Sequence, residues 1–341
     1  MGQRTWSVRA LVPEDLDSIR ELFLQVFKYV RPLAHDLWKF RDNPAGPGIG
    51  AVATDASRIV GQYVVLPTQL RLGKEVVLGA QSLDTMTHPD YRGQGMFVTL
   101  AKACMELTAA KGIEALYGFP NTNSFPGFIR RLNWDHTGDI PRWVRILNPE
   151  RVASLPSYVK PLAALGARLL LQGKSARRGI ETHIGRPSEH DLESLLADSR
   201  ASEGLCRVER SIEWLRWRFD PKSQRAYEWV VAYRGRSAQA CAIWGLSTEL
   251  KSGVLSYLLG SDSEALEAAT SVAVRRAKEK KVGILMAVTN HEDAIQALKS
   301  CGFIRWGSFP LIVRSMTARN LDGNIHDHAS WCISPADIDL F

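Results

Sequence analysis

The residues with the clearest chemical promise are Arg92-Gly93-Gln94-Gly95-Met96-Phe97, which follow His88-Pro89-Asp90-Tyr91. Two glycines so close together allow a turn that aims several backbone N–H groups at one point, because glycine takes left-handed angles at little cost. If a helix starts directly after them, its unpaired amides and its dipole reinforce the same field. Such a turn attracts phosphate, and Arg92 adds a cation that stays charged at any physiological pH.

Two elements must position that turn. Ser82-Leu83-Asp84-Thr85-Met86-Thr87 carries apolar and β-branched residues and reads as a short strand. Residues 96–111, with Leu100, Cys104 and Leu107 at spacings of four and three, read as a helix. Upstream, a strand is expected over 8–11. A helix then opens with Glu14 and Asp15 in its first turn and places Leu16, Ile19, Leu22, Phe23, Val26 and Phe27 on one face. A second helix is expected over 33–40, ended by Asp42-Asn43-Pro44-Ala45-Gly46-Pro47-Gly48. Hairpin strands follow over 50–54 and 58–67, then a strand pair over 70–78 around Gly73-Lys74. Downstream come a strand over 114–119, a helix over 121–132 and a bent strand or strand pair over 134–147.

The 341 residues suffice for about two domains, and 45% hydrophobic with 23% charged residues describes a globular chain. The net charge of +7 suits an anionic ligand such as a nucleotide or coenzyme A. The five cysteines are scattered and form no Cys-x-x-Cys pair, which points to reduced thiols and a cytoplasmic location. Residues 1–16 interleave charges with apolar residues, so no signal peptide is expected, and no run reaches the ~20 apolar residues of a membrane span.

Sliding the chain over itself brings Lys111 onto Lys280, an offset of 169 residues. In that register Asn121 meets Asn290, Ile129-Arg-Arg-Leu-Asn-Trp134 meets Leu298-Lys-Ser-Cys-Gly-Phe303, and Pro141 and Arg145 meet Pro310 and Arg314. Earlier, Pro13-Glu-Asp-Leu16 rhymes with Pro187-Ser-Glu-His-Asp-Leu192, and Trp38-Lys39-Phe40 with Trp217-Arg218-Phe219. The chain therefore reads as two copies of one α/β unit. The second copy has Ser261-Asp262-Ser263-Glu264-Ala265-Leu266 where the first has its glycine turn, and those carboxylates repel a pyrophosphate.

These residues resemble the GNAT acetyltransferases, whose Arg/Gln-x-x-Gly-x-Gly/Ala turn holds the pyrophosphate of acetyl-CoA. Arg92 to Phe97 match that turn, and Phe97 departs from it where glycine or alanine is usual. Asn121 and the segment Ile129 to Trp134 match a later feature of the family, with Ile129 where a tyrosine is common. The resemblance covers roughly residues 5–147, and 180–316 as a degenerate copy. Tandem chains of this layout, with Gly118-Phe-Pro-Asn121 and Asn43-Pro-Ala-Gly46, are similar to sugar N-acyltransferases of polysaccharide gene clusters. The resemblance implies an α/β (α+β) fold of two GNAT-like domains, each a mixed, mostly antiparallel sheet flanked by helices. It also implies acetyl-CoA or another acyl-CoA as cofactor, held by Met86, Thr87, Arg92, Gly93, Gln94, Gly95, Met96, Phe97, Asn121 and Phe128.

Acyl transfer to an amine requires a neutral nucleophile, a donor for the developing oxyanion and an exit for the thiolate. The resemblance places the oxyanion donor on the backbone near Met86 or Thr87. Three groups are candidate bases. Asp84 shares a strand face with Met86, and partial burial would raise its pKa into a useful range. His88 closes the strand before Pro89, and His136 follows Trp134. The implied reaction is N-acylation of a small-molecule amine, with a nucleotide-linked amino sugar as the leading acceptor. A non-catalytic acyl-CoA-binding module and an enzyme acting on a protein lysine or peptide amine stand beside it.

Other patterns are weaker. His326-Asp327-His328 lacks a third nearby ligand and reads as a polar turn, so no metal is expected. Trp214, Arg216, Trp217 and Arg218 interleave aromatic and basic residues as nucleic-acid surfaces do. At helical spacing, however, the tryptophans pack inward and the arginines face solvent, so no nucleic acid is expected. The division expected is a catalytic domain at 1–150, a linker at 151–180 and a degenerate domain at 181–341. The linker carries an apolar helix over 161–171 and the basic residues Lys174, Arg177 and Arg178, which leave peripheral contact with an anionic membrane open. Homo-oligomerisation is also left open. The end, residues 331–341, reads as a strand or hook closing back on the body.

Overall fold

The computed structural model describes residues 5–152, 179–199, 206–223, 225–247 and 252–339. The expected linker helix and its basic residues lie outside the described residues. The chain forms two compact units. Unit 1 comprises Met1–Gly138, Cys206–Glu209 and Pro310–Ser330, and unit 2 comprises Asp139–Leu205, Arg210–Phe309 and Trp331–Phe341.

In unit 1, strands β1 (Ser7–Ala10), β2 (Ile49–Asp55), β3 (Arg58–Leu72), β4 (Glu75–Thr87) and β5 (Ala115–Gly118) lie side by side in that order. All pair antiparallel except β4 and β5, which are parallel. The sheet is mixed and mostly antiparallel, as expected. Helices α1 (Leu16–Phe27), α2 (Leu33–Phe40), α3 (Met96–Ala110) and α4 (Phe125–Leu132) complete it. Strand β3 is buried along nearly its whole length because both its faces are covered. Val52, Ile59 and Met86 pack with Ile19, Leu22 and Phe23 of α1. On the other face Ala51, Ala53, Val60 and Tyr63 pack with Met96, Leu100 and Cys104 of α3 and Phe128 of α4. Phe27, expected on the buried face of α1, is exposed at the helix end.

Residues 70–78 do not form a separate strand pair. They are the tip of one long hairpin, because β3 and β4 run unbroken to the turn at Gly73-Lys74. Pro67 tolerates this position because β2 pairs with β3 only as far as Val65, so no neighbour on that side needs the missing N–H. The fourth helix starts at Phe125 rather than 121, because Asn121 folds the chain into a capped turn first.

In unit 2, strands β6 (Asp135–Ile146), β12 (Ile284–Val288), β11 (Ser252–Gly260), β10 (Ser237–Ser247), β9 (Tyr227–Arg234) and β7 (Glu181–Ile184) lie in that order. Only β11 and β12 pair in parallel. Helices α5 (Glu189–Ser199), α6 (Ile212–Arg218), α7 (Ser263–Glu279) and α8 (Glu292–Ser300) occur at the same points of the order as α1 to α4. Small residues Ala265, Ala269, Ala273 and Ala277 let α7 lie close on Val230, Ala240 and Leu285.

The internal repeat is borne out element by element. Shifting β6 by 169 residues lands it on β13 (Ile304–Ser315) at both ends. The two copies trade these last strands. The later part of β13 pairs with β5 and belongs to unit 1, whereas β6 from Asp139 onward pairs with β12 and belongs to unit 2. Unit 1 also takes β8 (Cys206–Val208), which pairs with the far end of β3.

Candidate active site

In unit 1 the ladder between β4 and β5 stops at Ser82 and Gly118 while β4 runs on to Thr87. Just past that point β4 bulges. Gln62 faces Met86 but Val64 faces Leu83, and Asp84 takes a left-handed φ of 43°. Such an angle is strained for an aspartate and marks a built feature. The bulge takes residues 84 and 85 out of regular pairing beside the gap that β5 leaves.

The glycine turn lies at the end of the same strand. Gly93 has φ 78° and Gly95 φ 76°, and residues 92–95 are exposed. Gly95 is the N-cap of α3 and supplies no side chain, so the first amides of α3 have no side-chain cap. The turn is held from behind. Trp6 donates its indole N–H to Gln94 Oε1 at 2.9 Å, and Tyr91 donates its hydroxyl to Asp55 at 2.7 Å. Gln94 therefore serves with its backbone, because its side-chain oxygen is engaged. Met96 is core: a side chain at Gly61 would meet its sulfur at 2.3 Å. It too offers only its backbone.

Unit 2 shows what the same helix start looks like when closed. Asp262 caps α7, and its carboxylate accepts from the N–H groups of Glu264 at 3.0 Å and Ala265 at 3.1 Å. Arg234 approaches both Asp262 and Glu264. The chain's own carboxylate fills the place of an anion there.

Phe97 is half-buried between α3 and α4. Its ring centroid lies 5.3 Å from that of Phe128 and 6.1 Å from that of Tyr63. Gly127 faces it, and a Cβ there would come 2.9 Å from the Phe97 ring. The off-pattern phenylalanine is thus accommodated by a glycine one turn into α4. Phe128 is buried in the same aromatic group, with Trp134 at 5.2 Å. Asn121 is exposed at the head of α4, its side-chain oxygen accepting from the N–H groups of Asn123 and Ser124, both at 3.0 Å.

The candidate bases fare differently. Asp84 is not the carboxyl with a raised pKa that was expected. Burial alone would push it up, but Arg31 at 2.6 Å and Lys39 at 2.9 Å outweigh burial and hold it well below the usual carboxylate range. A carboxylate so stabilised is a poor proton acceptor. Around it, Asp36 is fully buried against Arg31 and Arg20, and burial pushes its carboxyl upward despite Arg31. Arg31, Asp36 and Lys39 were not singled out; Lys39 stood in the Trp-Lys-Phe half of the repeat, which was the available signal. His88 is also committed: its Nε2 lies 2.8 Å from an Arg58 guanidinium nitrogen, and its Nδ1 accepts from the Asp90 N–H at 3.2 Å. His136 is exposed on β6, edge-on to Phe125 at 5.1 Å, beside the turn that opens α4.

Residues 7–137 match the sequence model of the acetyltransferase (GNAT) domain. The chain carries a GNAT acetyltransferase domain. GNAT domains are acyl-CoA-dependent N-acyltransferases, and the matched stretch includes the open turn at Arg92 to Phe97. No curated protein sequence matches the chain. Among solved structures it is similar to a tandem GNAT protein from the clavulanic acid biosynthesis pathway, with TM-score 0.61 and 12% identity over 92% of this chain and 100% of that one. A probable N-acyltransferase from Enterococcus faecalis V583 gives 0.64 and 12%, covering 92% and 73% of the two chains. N-myristoyltransferase from Saccharomyces cerevisiae, solved with myristoyl-CoA bound, gives 0.65 and 13%, covering 100% and 90%. At these identities the likeness is one of fold. It supports the tandem arrangement read from the repeat.

Elsewhere, Trp214 is buried and Arg216 exposed as expected, but Arg218 is buried rather than solvated. Among the described residues, no helix is long and apolar enough to cross a membrane.

Proposed function

We propose that unit 1 transfers an acetyl or larger acyl group from acyl-CoA to a primary amine of a small molecule, with nucleotide-linked amino sugars as the acceptor class. The observation that carries this is the pairing of an uncapped α3 N-terminus with the bulged end of β4. The amides following Gly93 and Gly95 hold the pyrophosphate, with Arg92 beside them. Pantetheine then lies in the gap beyond Ser82 and Gly118, near Asn121, and the backbone at Met86 and Thr87 receives the thioester oxygen. Phe97 and Phe128 act as packing that fixes α4 along the cofactor. The acceptor class rests on the similarity to sugar N-acyltransferases alone.

His136 is the base on this reading, since Asp84 and His88 are both held by cations. With Ile129 in place of tyrosine, the thiolate leaves to solvent. The locked Asp84 and the absent tyrosine favour one second reading, a module that binds acyl-CoA without turning it over. Thiol release from acetyl-CoA, followed across amines that include nucleotide-linked amino sugars and a lysine peptide, separates the readings. Release with an amino sugar supports the proposal, release only with the peptide moves the acceptor to protein, and tight CoA binding with no release leaves the binding module. In the same assay His136→Gln should lower kcat by about 100-fold with little change in KM for acetyl-CoA, the low end for loss of a general base.

A further inference from the structure

The gap that receives ligand in unit 1 has a counterpart in unit 2, and that counterpart is occupied. The β11–β12 ladder stops at Val254 and Met286 although β11 runs on to Gly260. Met286 is the repeat counterpart of Tyr117, so its ladder partner Val254 takes the place that Gln81 has beside Tyr117. Three residues further along the strand, Tyr257 therefore stands where unit 1 has Asp84. The bulge is repeated as well: Ile243 faces Tyr257, but Trp244 faces Leu255.

Into this place runs the end of the chain. Asn290, the repeat counterpart of Asn121, donates its side-chain N–H to the Trp331 carbonyl at 2.6 Å and accepts from the Ile333 N–H at 3.0 Å. One amide side chain thus pairs with an extended backbone as a neighbouring strand would. Arg218, the counterpart of Lys39, donates Nε–H to the Ala336 carbonyl at 2.7 Å. Arg210 holds the Asp337 carboxylate at 2.5 Å and lies over the Tyr257 ring at 5.1 Å. Trp331, Ile333, Pro335, Ala336, Asp337 and Ile338 are all buried. In unit 1 the strand's own Asp84 answers two cations; in unit 2 the strand offers Tyr257, and the tail supplies the carboxylate instead.

We propose that the open end of β11 and β12 is a binding site for a peptide segment with apolar residues and one carboxylate, which runs from an extended start into a 3-10 turn and is filled in cis by Trp331–Ile338. Two hydrogen bonds between the Asn290 side chain and the segment's backbone, a charged contact to Arg210 and apolar burial together give the site its means of recognising a peptide. The site is separate from acyl-CoA chemistry and does not depend on the function proposed for unit 1.

The test uses the full chain and a fluorescent synthetic peptide of residues 329–341. Wild type should give no saturable anisotropy change, because its own tail fills the site. The full-length Asp337→Lys variant, whose tail is repelled by Arg210, should bind the wild-type peptide saturably and refuse a peptide carrying the same change. A folded Asp337→Lys chain that does not bind, or a wild type that binds equally well, overturns the proposal. If Asp337→Lys gives no cooperative unfolding, Asn290→Ala replaces it: exchange of the Ile333 amide should speed up at least about tenfold while β10 amides keep their protection. Unchanged protection at Ile333 would equally overturn it.

Discussion

Asp84 illustrates how a buried carboxylate is governed by its neighbours. Removing its charge takes from the buried Arg31 and Lys39 a carboxylate that both contact. Asp84→Asn should therefore cost about 3–5 kcal/mol of stability, the usual loss when one partner of a buried pair is deleted. The sign with pH follows from its depressed pKa. The contribution is complete above the unfolded carboxylate value of about 3.9 and is lost as pH falls below it. Asp36, pushed upward chiefly by burial and also by the Asp84 charge, works in the opposite sense. Urea midpoints of the two proteins should keep a constant separation above about pH 4 and draw together as pH is lowered further, and a separation that stays constant at the acid end would refute the assignment. Sequence alone indicated that Asp84 shares a face with Met86. Its ion pairs could not be read, because Arg31 and Lys39 lie more than forty residues away in the sequence.

Among elements, α3 and α4 carry a compensation that involves one ring and one missing side chain. In an otherwise wild-type chain, Gly127→Ala places a methyl group 2.9 Å from the Phe97 ring. The strain, about 1–3 kcal/mol, should exceed the gain of about 1 kcal/mol from better helix propensity. With Phe97→Ala in the background the same substitution should become stabilising. A double-mutant cycle in thermal unfolding reads the reversal, and the same sign in both backgrounds would remove the coupling. The helices themselves were legible from apolar spacing, and α2 falls over Leu33–Phe40 as read. The β4 bulge was not legible, since no glycine marks it and the residue that takes the strained angle is an aspartate. The departure at Phe97 was visible, but its partner Gly127 only acquires meaning once α4 lies against α3.

For the whole molecule, the repeat was the most informative reading, because a gapless register preserves apolar and polar classes even where identities are few. The differing loop between copies translates into one open and one self-capped helix start. Isothermal titration with CoA should accordingly give one site per chain. Gly95→Glu should give none, since the new carboxylate and its bulk fill the only uncapped cradle of the pair. Two sites in wild type, or one remaining in Gly95→Glu, would show that α7 binds despite Asp262. What the repeat could not disclose was the exchange of last strands, because β6 and β13 match each other equally well in either pairing.

That exchange sets an order of events during synthesis. Domains ordinarily fold from the N-terminus as they leave the ribosome. Here the strand that pairs with β5, Ile312 to Ser315, is made after nearly all of the second copy. The acyltransferase sheet has an open edge until then, through the translation of the entire second copy. The activity encoded first is completed last, so a chain truncated in its second half loses the enzyme along with the scaffold.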